Sequence, residues 1–160
     1  MITIEHLQAL TKQVTKQSDF AQRLLDNLAS EHNALLAADA DSLDKVVGEK
    51  QALLKQLEAG LANITQSISK HGFAADFSGF DALLQQLPEN TPLHRQWEQL
   101  QELAGKCKQQ NELNGGIVSL KQQHIRQALD ILKGAPPSKN TYDKQGTIDS
   151  YLDKSGYTKA

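Results

Sequence analysis

The chain has 160 residues, enough for one domain or a domain with a tail, and its 17 Lys and Arg balance 19 Asp and Glu, which excludes a global pull toward nucleic acid or an acidic membrane. Aromatics make up only 5% of it, too few for the core of a β-sandwich. Leu, Ala, Gln, Lys and Glu dominate instead, the residues that lose least side-chain freedom in a helix, so an extended all-α protein is expected before any pattern is considered. The lone cysteine, Cys107, excludes an internal disulfide, and the opening MITIEHLQALTKQ lacks the apolar stretch of a signal peptide. No apolar run approaches the ~20 residues that span a bilayer, so the expectation is a cytoplasmic protein without membrane insertion.

Proline and glycine divide the chain. Nothing before Gly48 breaks a helix, and all four prolines fall at Pro88, Pro92 and the Pro136-Pro137 pair. Leu7, Leu10, Val14, Gln17, Ala21, Leu24, Leu28, Glu31 and Leu35 recur at spacings of three and four, a heptad seam that predicts a first helix over about 3–38. Leu43, Val47, Lys50, Leu54, Leu57, Leu61, Ile64 and Ile68 predict a second over about 41–71, with Asp39 or Asp41 as cap. Folding one onto the other about a turn near residue 40 pairs Leu28 with Leu54, Leu24 with Leu57, Ala21 with Leu61, Gln17 with Ile64 and Val14 with Ile68, a long helical hairpin. In that register Glu31 and Lys50, the only charged residues of the two seams, stand opposite each other and should form a partly buried ion pair that fixes register.

A short helix over about 79–87 follows, with Ser78 and Asp81 as its capping box and Phe80, Leu83, Leu84 and Leu87 sharing the face that lids the hairpin end. Thr91 as cap and Pro92 as first helical residue open a third long helix, about 92–133. Its seam runs Leu93, Trp97, Leu100, Ala104, Cys107, Asn111, Asn114, Val118, Lys121, Ile125, Ala128 and Leu132, and its segment is the only distinctly basic one. Asn111 and Asn114 lie where a core wants Leu. Either they fix register, or this helix is incompletely covered by the hairpin and keeps a face for a partner's helix. Gly115-Gly116 should weaken or bend the helix there. The expected architecture is therefore an elongated antiparallel three-helix coiled-coil bundle, the domain spanning 1–133, with a flexible tail at 134–160 rich in Pro, Gly, Ser, Lys and Asp.

Enzyme chemistry finds no footing. His6, His32, His71, His94 and His124 are scattered without ligand spacing, Cys107 sits on an apolar seam without a nearby histidine, and Gly115-Gly116 lacks the Lys-Ser/Thr of a phosphate loop. No catalytic residue, metal or cofactor is expected. The tail holds all three tyrosines and so could carry a short docking motif.

The string CKQQNELNGGIVSLKQQHIRQALDILK, followed by NTYDKQG, resembles the FlgN family of flagellar type III export chaperones. The residues that carry the likeness are Asn111, Asn114 and Gly115 in an N-x-x-N-G block, then Ala128, Leu129, Leu132 and Lys133 in an A-L-x-x-L-K run, with Glu31 in L-x-x-E-x-x-x-L and Lys50 in K-x-x-L-L. The resemblance implies a cytoplasmic chaperone that binds helical C-terminal segments of hook-filament junction proteins, prevents their premature assembly and hands them to export-gate and export-ATPase components. Client contacts would fall to Asn111, Asn114, Val118, Lys121, Ile125, Leu129 and Leu132, and export-gate docking to Tyr142 in its Thr141-Tyr142-x-x-x-Gly146 setting, or to a later tail aromatic. The competing expectation is a structural coiled-coil adaptor with no client to shield, although such a permanent assembly would fill the third seam with Leu and Ile.

Overall fold

A computed structural model of the chain describes residues 2–132, apart from the side chains at 125 and 128–131. The described chain is all-helical, with α1 (Ile4–Ala37), α2 (Ala40–Ser69), α3 (Phe77–Gln85) and α4 (Pro92–Leu132), and no strand among the described residues. None of these helices is long and apolar enough to cross a membrane. The segment from 133 onward, with Tyr142, lies outside the described residues.

Each boundary has a local chemical cause. Thr3 caps α1 by accepting from the His6 N–H at 3.3 Å. At the other end Ala38 turns left-handed, φ 53°, while the Ala38 N–H donates to the Leu35 carbonyl and the Asp39 N–H to that of Ala34, the double bond of a Schellman stop. Asp39 then caps α2, accepting from the Ser42 N–H at 3.2 Å and the Ser42 hydroxyl at 2.7 Å. These two bonds hold its carboxyl below the usual range. The cap of α3 is Asp76, not Ser78: the Asp76 carboxylate accepts from the Gly79 N–H at 2.8 Å, and the Ser78 hydroxyl bonds back to that carboxylate. A carboxylate two residues upstream outcompetes the serine because only it reaches the third N–H, and Gly79 lets it, since a Cβ there would collide with the Ala74 carbonyl. Thr91 caps α4 ahead of Pro92, accepting from the His94 N–H at 3.4 Å.

The left-handed Ala38 costs energy that glycine would not incur, because its Cβ crowds the following carbonyl. Ala38→Gly should stabilise the protein by about 0.5 to 1 kcal/mol, after allowing for the extra freedom glycine gives the unfolded chain. Chemical denaturation of the two forms measures it, and a destabilised variant would show that the turn is not strained.

Helix α1 packs against both α2 and α4, which come much less close to one another. The pairs Ala21–Cys107, Leu28–Asn114 and Leu35–Lys121 all join α1 to α4 across 86 residues, so these two helices run in the same direction. Helix α2 returns between them in sequence, antiparallel to α1, in a register that sets Lys50 against Glu31 at 3.2 Å. The Gln17 side chain reaches Gly60, and the Asn27 amide donates to the Val46 carbonyl at 3.0 Å.

The core gathers at the end closed by α3. Leu10, Val14, Ile64, Ile68, Phe80, Leu83, Leu93 and Trp97 are buried there, with the Phe80 and Trp97 rings 4.3 Å apart. Phe80, Leu83 and Leu84 of α3 supply the lid. A smaller cluster, Leu24, Leu28 and Cys107 with Leu53 and Leu57 against it, follows toward the bend. In α2 only Ile64 and Ile68 are buried, so most of its apolar seam remains half open. Apolar burial thus tapers from the α3 end to the hairpin bend, and side-chain polar bonds take over the job of holding the helices together.

Candidate functional site

At that polar end, three helices are joined by one network. Lys50 of α2 donates to Glu31 of α1 at 3.2 and 3.4 Å and to the Asn111 Oδ1 of α4 at 2.8 Å. Asn114, one turn on, donates from Nδ2 to both the Leu28 carbonyl and Glu31 Oε1 at 2.9 Å, while its Oδ1 accepts from Gln110 at 2.9 Å and meets His32 Nδ1 at 3.3 Å. Asn114 is only 2% exposed. The Lys121 ammonium continues the tie by donating to the Leu35 carbonyl. Asn111, Asn114 and Lys121 are thus committed to contacts within the chain. The polarity of Asn114 and Lys121 satisfies backbone carbonyls and a buried carboxylate that Leu would leave unpaired, and Asn111 accepts from the Lys50 ammonium. The same bonds on either side of Gly115-Gly116 account for the helix running through these glycines without a break.

The constant offset has a geometric consequence. Helix α1 stops at Ala37, level with Gln123 of α4, and α4 continues for nine more residues to Leu132. At ~1.5 Å per residue it overshoots the hairpin bend by roughly 14 Å. Ile125, Leu129 and Leu132 fall on this overhang, and Leu132 is 81% exposed. The side chains of Ile125 and Leu129 lie outside the described residues, and Val118 sits just before the overhang, half-buried. Helix α4 also exposes Leu113 and Leu120, seven residues apart and so on one face, and Leu36 in the last turn of α1 is exposed at the same level. Those three were missed by the seam argument, which selects the inward stripe of a helix. Only a second, weaker apolar spacing on the outer face, with the half-buried Ile117 between, could have pointed to Leu113 and Leu120.

The profile of the FlgN family, described as FlgN protein, matches residues 1–150. The chain belongs to the FlgN family. FlgN proteins are a family of flagellar export chaperones, and the matched span takes in every helix described above. No curated protein and no solved structure matches the chain.

The chemistry of this FlgN chain elsewhere is that of packing. Cys107 is buried, its thiol donates to the Ala21 carbonyl at 3.4 Å, and burial pushes its pKa up, the direction that suppresses thiolate reactivity. His6 and His71 meet edge to face with centroids 4.6 Å apart, tying the start of α1 to the end of α2. His94 binds the Thr91 hydroxyl at 2.6 Å. Among the described residues, no group of three or more His, Cys, Asp and Glu is placed to hold a metal ion.

Proposed function

We propose that this FlgN chain holds the helical C-terminal segments of hook-filament junction proteins in the cytoplasm, prevents their premature assembly and delivers them to the type III export apparatus. It would work as an elongated antiparallel three-helix bundle whose third long helix meets the client. The observation that supports this reading beyond family membership is the overhang: α4 runs on past the level of the last residue of α1, and Leu132 at its end is exposed. A client that assembles through an amphipathic helix needs that face covered until export, and a second amphipathic helix covers it by interdigitation. Holding of this kind needs no nucleotide site. Val118, Ile125, Leu129 and Leu132 are proposed as the apolar contact, whereas Asn114 and Lys121 act by fixing α4 on α1, and Asn111 by tying it to Lys50 of α2, so that the overhang projects.

Delivery is assigned to the segment beyond α4, with Tyr142 docking on the export gate and, through it, the export-ATPase components. The experiment is co-purification with the C-terminal segments of candidate junction proteins, run beside a secretion assay, for the full chain and a form truncated after Ser138. The expected result is equal client capture by both forms and loss of secretion for the short one. Failure of the full chain to capture any junction-protein segment would overturn the holding role, and equal secretion would overturn the role of Tyr142.

A further inference from the structure

The α2 and α4 flanks of α1 leave a trough between them at mid-length. Leu54, Leu57 and Leu61 of α2 face Trp97 and Leu100 of α4 across it, Phe77 of α3 closes one end, and the cavity measures about 410 Å³. Leu54 and Phe77 are exposed, and the lining is almost wholly apolar. An open apolar trough of this kind on a helical protein marks a docking surface.

We propose that its occupant is the chain's own C-terminal segment around Ile148, Tyr151 and Leu152. These residues stand at i, i+3 and i+4, the spacing that puts three apolar side chains on one face of a helical turn, and Asp149, Ser150 and Asp153 fall between or beside them on the polar face. The reach is sufficient. From Leu132 back to Ala104 at the trough is 28 helical residues, ~42 Å at 1.5 Å per residue. The 15 residues from 133 to 147 span up to about 50 Å when extended, so the apolar triplet is the first part of the segment able to arrive there. Tyr142, ten residues past Leu132, falls short of the trough and stays on the connecting stretch. A tethered segment also meets the trough at an effective concentration in the mM range, far above that of a second copy or another protein. Docking covers Leu54 and Phe77 with the one apolar triplet that the four helices do not already use. This inference stands on the trough and the chain's length, independently of the export reading.

The chain carries its own reporter: the only tryptophan, Trp97, lines the trough, and all three tyrosines lie beyond α4. In a Tyr142→Phe/Tyr157→Phe background, Tyr151 is the sole energy donor to Trp97. Tyrosine-to-tryptophan transfer should be strong and should fall about fivefold on Ile148→Asp, and by the same factor on Leu54→Asp, a ratio that a tethered contact of modest strength gives. The two changes combined should do no more than either alone. Leu54 is already partly exposed and Ile148 falls beyond α4 in the chain, so circular dichroism should be unchanged in both. Transfer insensitive to Leu54→Asp, or absent from the intact chain, would overturn the proposal and leave the trough for another protein's helix. Transfer lost on hundredfold dilution would overturn it in favour of a second copy.

Discussion

Glu31→Leu should cost about 3 kcal/mol of stability, the low end for breaking a buried ion pair, and adding Lys50→Leu should recover most of that loss. The Glu31 side chain is only 7% exposed and that of Lys50 23%, so the pair sits largely out of water. Removing Glu31 leaves the ammonium with a single neutral acceptor, Asn111, and leaves Asn114 with one bond from Nδ2 instead of two. Partial exposure lets Lys50 swing toward solvent, which is why the low end applies. With both charges replaced, apolar packing substitutes for the pair at little cost, because the desolvation that opposed it disappears as well. Urea denaturation of the two single variants and the double variant gives the coupling energy. A coupling near zero would mean that the network holds no register information. Asn114→Leu extends the test to α4: it empties the bonds to Leu28 and Glu31 and should loosen α4 from α1 near the bend before it affects the α3 end.

Ile125→Glu and Leu132→Glu should abolish client binding while leaving helicity almost unchanged. Each apolar side chain fully covered by a client helix contributes up to ~1.5 to 3 kcal/mol, a factor of roughly 10 to 100 in affinity, and a carboxylate in its place adds a desolvation cost. The fold should tolerate both changes because the positions lie beyond the level of Ala37, where α1 ends. Leu132, 81% exposed, is the cleaner of the two. Calorimetric titration with a junction-protein C-terminal segment, alongside circular dichroism, decides the matter. Unfolding by both substitutions would make these residues core and move the site elsewhere. Leu113→Glu, on the outer face of α4, serves as the comparison that separates overhang from outer face.

Much of the helix content could be read from the sequence because it rests on local chemistry. The inward stripe of α1, from Leu10 through Val14, Gln17, Ala21, Leu24 and Leu28 to Leu35, is buried residue for residue. The α2 stripe has the same periodicity, yet Leu43, Val47, Leu57 and Leu61 are only half covered and Leu54 is exposed. Periodicity says which side of a helix faces inward and carries no information on how closely a second helix approaches. The setting of the Gln17 side chain was not legible, because it rests on the space that Gly60, without a Cβ, leaves on the facing helix. The bonds of Asn114 to Leu28 and Glu31 depend on contacts between residues more than 80 apart, which no window along the chain can reveal. Of the proposed client residues, the polar three were legible as seam positions but not as ties, because the distinction lies in a carbonyl and a carboxylate on another helix.

That long separation also governs how the protein is made. The two arms of the hairpin are neighbours in the chain and can close as soon as α2 has left the ribosome, whereas the α1–α4 bonds wait for residues synthesised 82 to 86 positions later. At ~5 to 20 residues per second, the interval is roughly 4 to 17 seconds. Throughout it the α1 stripe that α4 will cover, with the Glu31 carboxylate and the Leu28 carbonyl, stands open. The nascent hairpin is therefore the aggregation-exposed stage of this protein's life, and arrival of α4 both quenches that surface and raises the overhang in a single event.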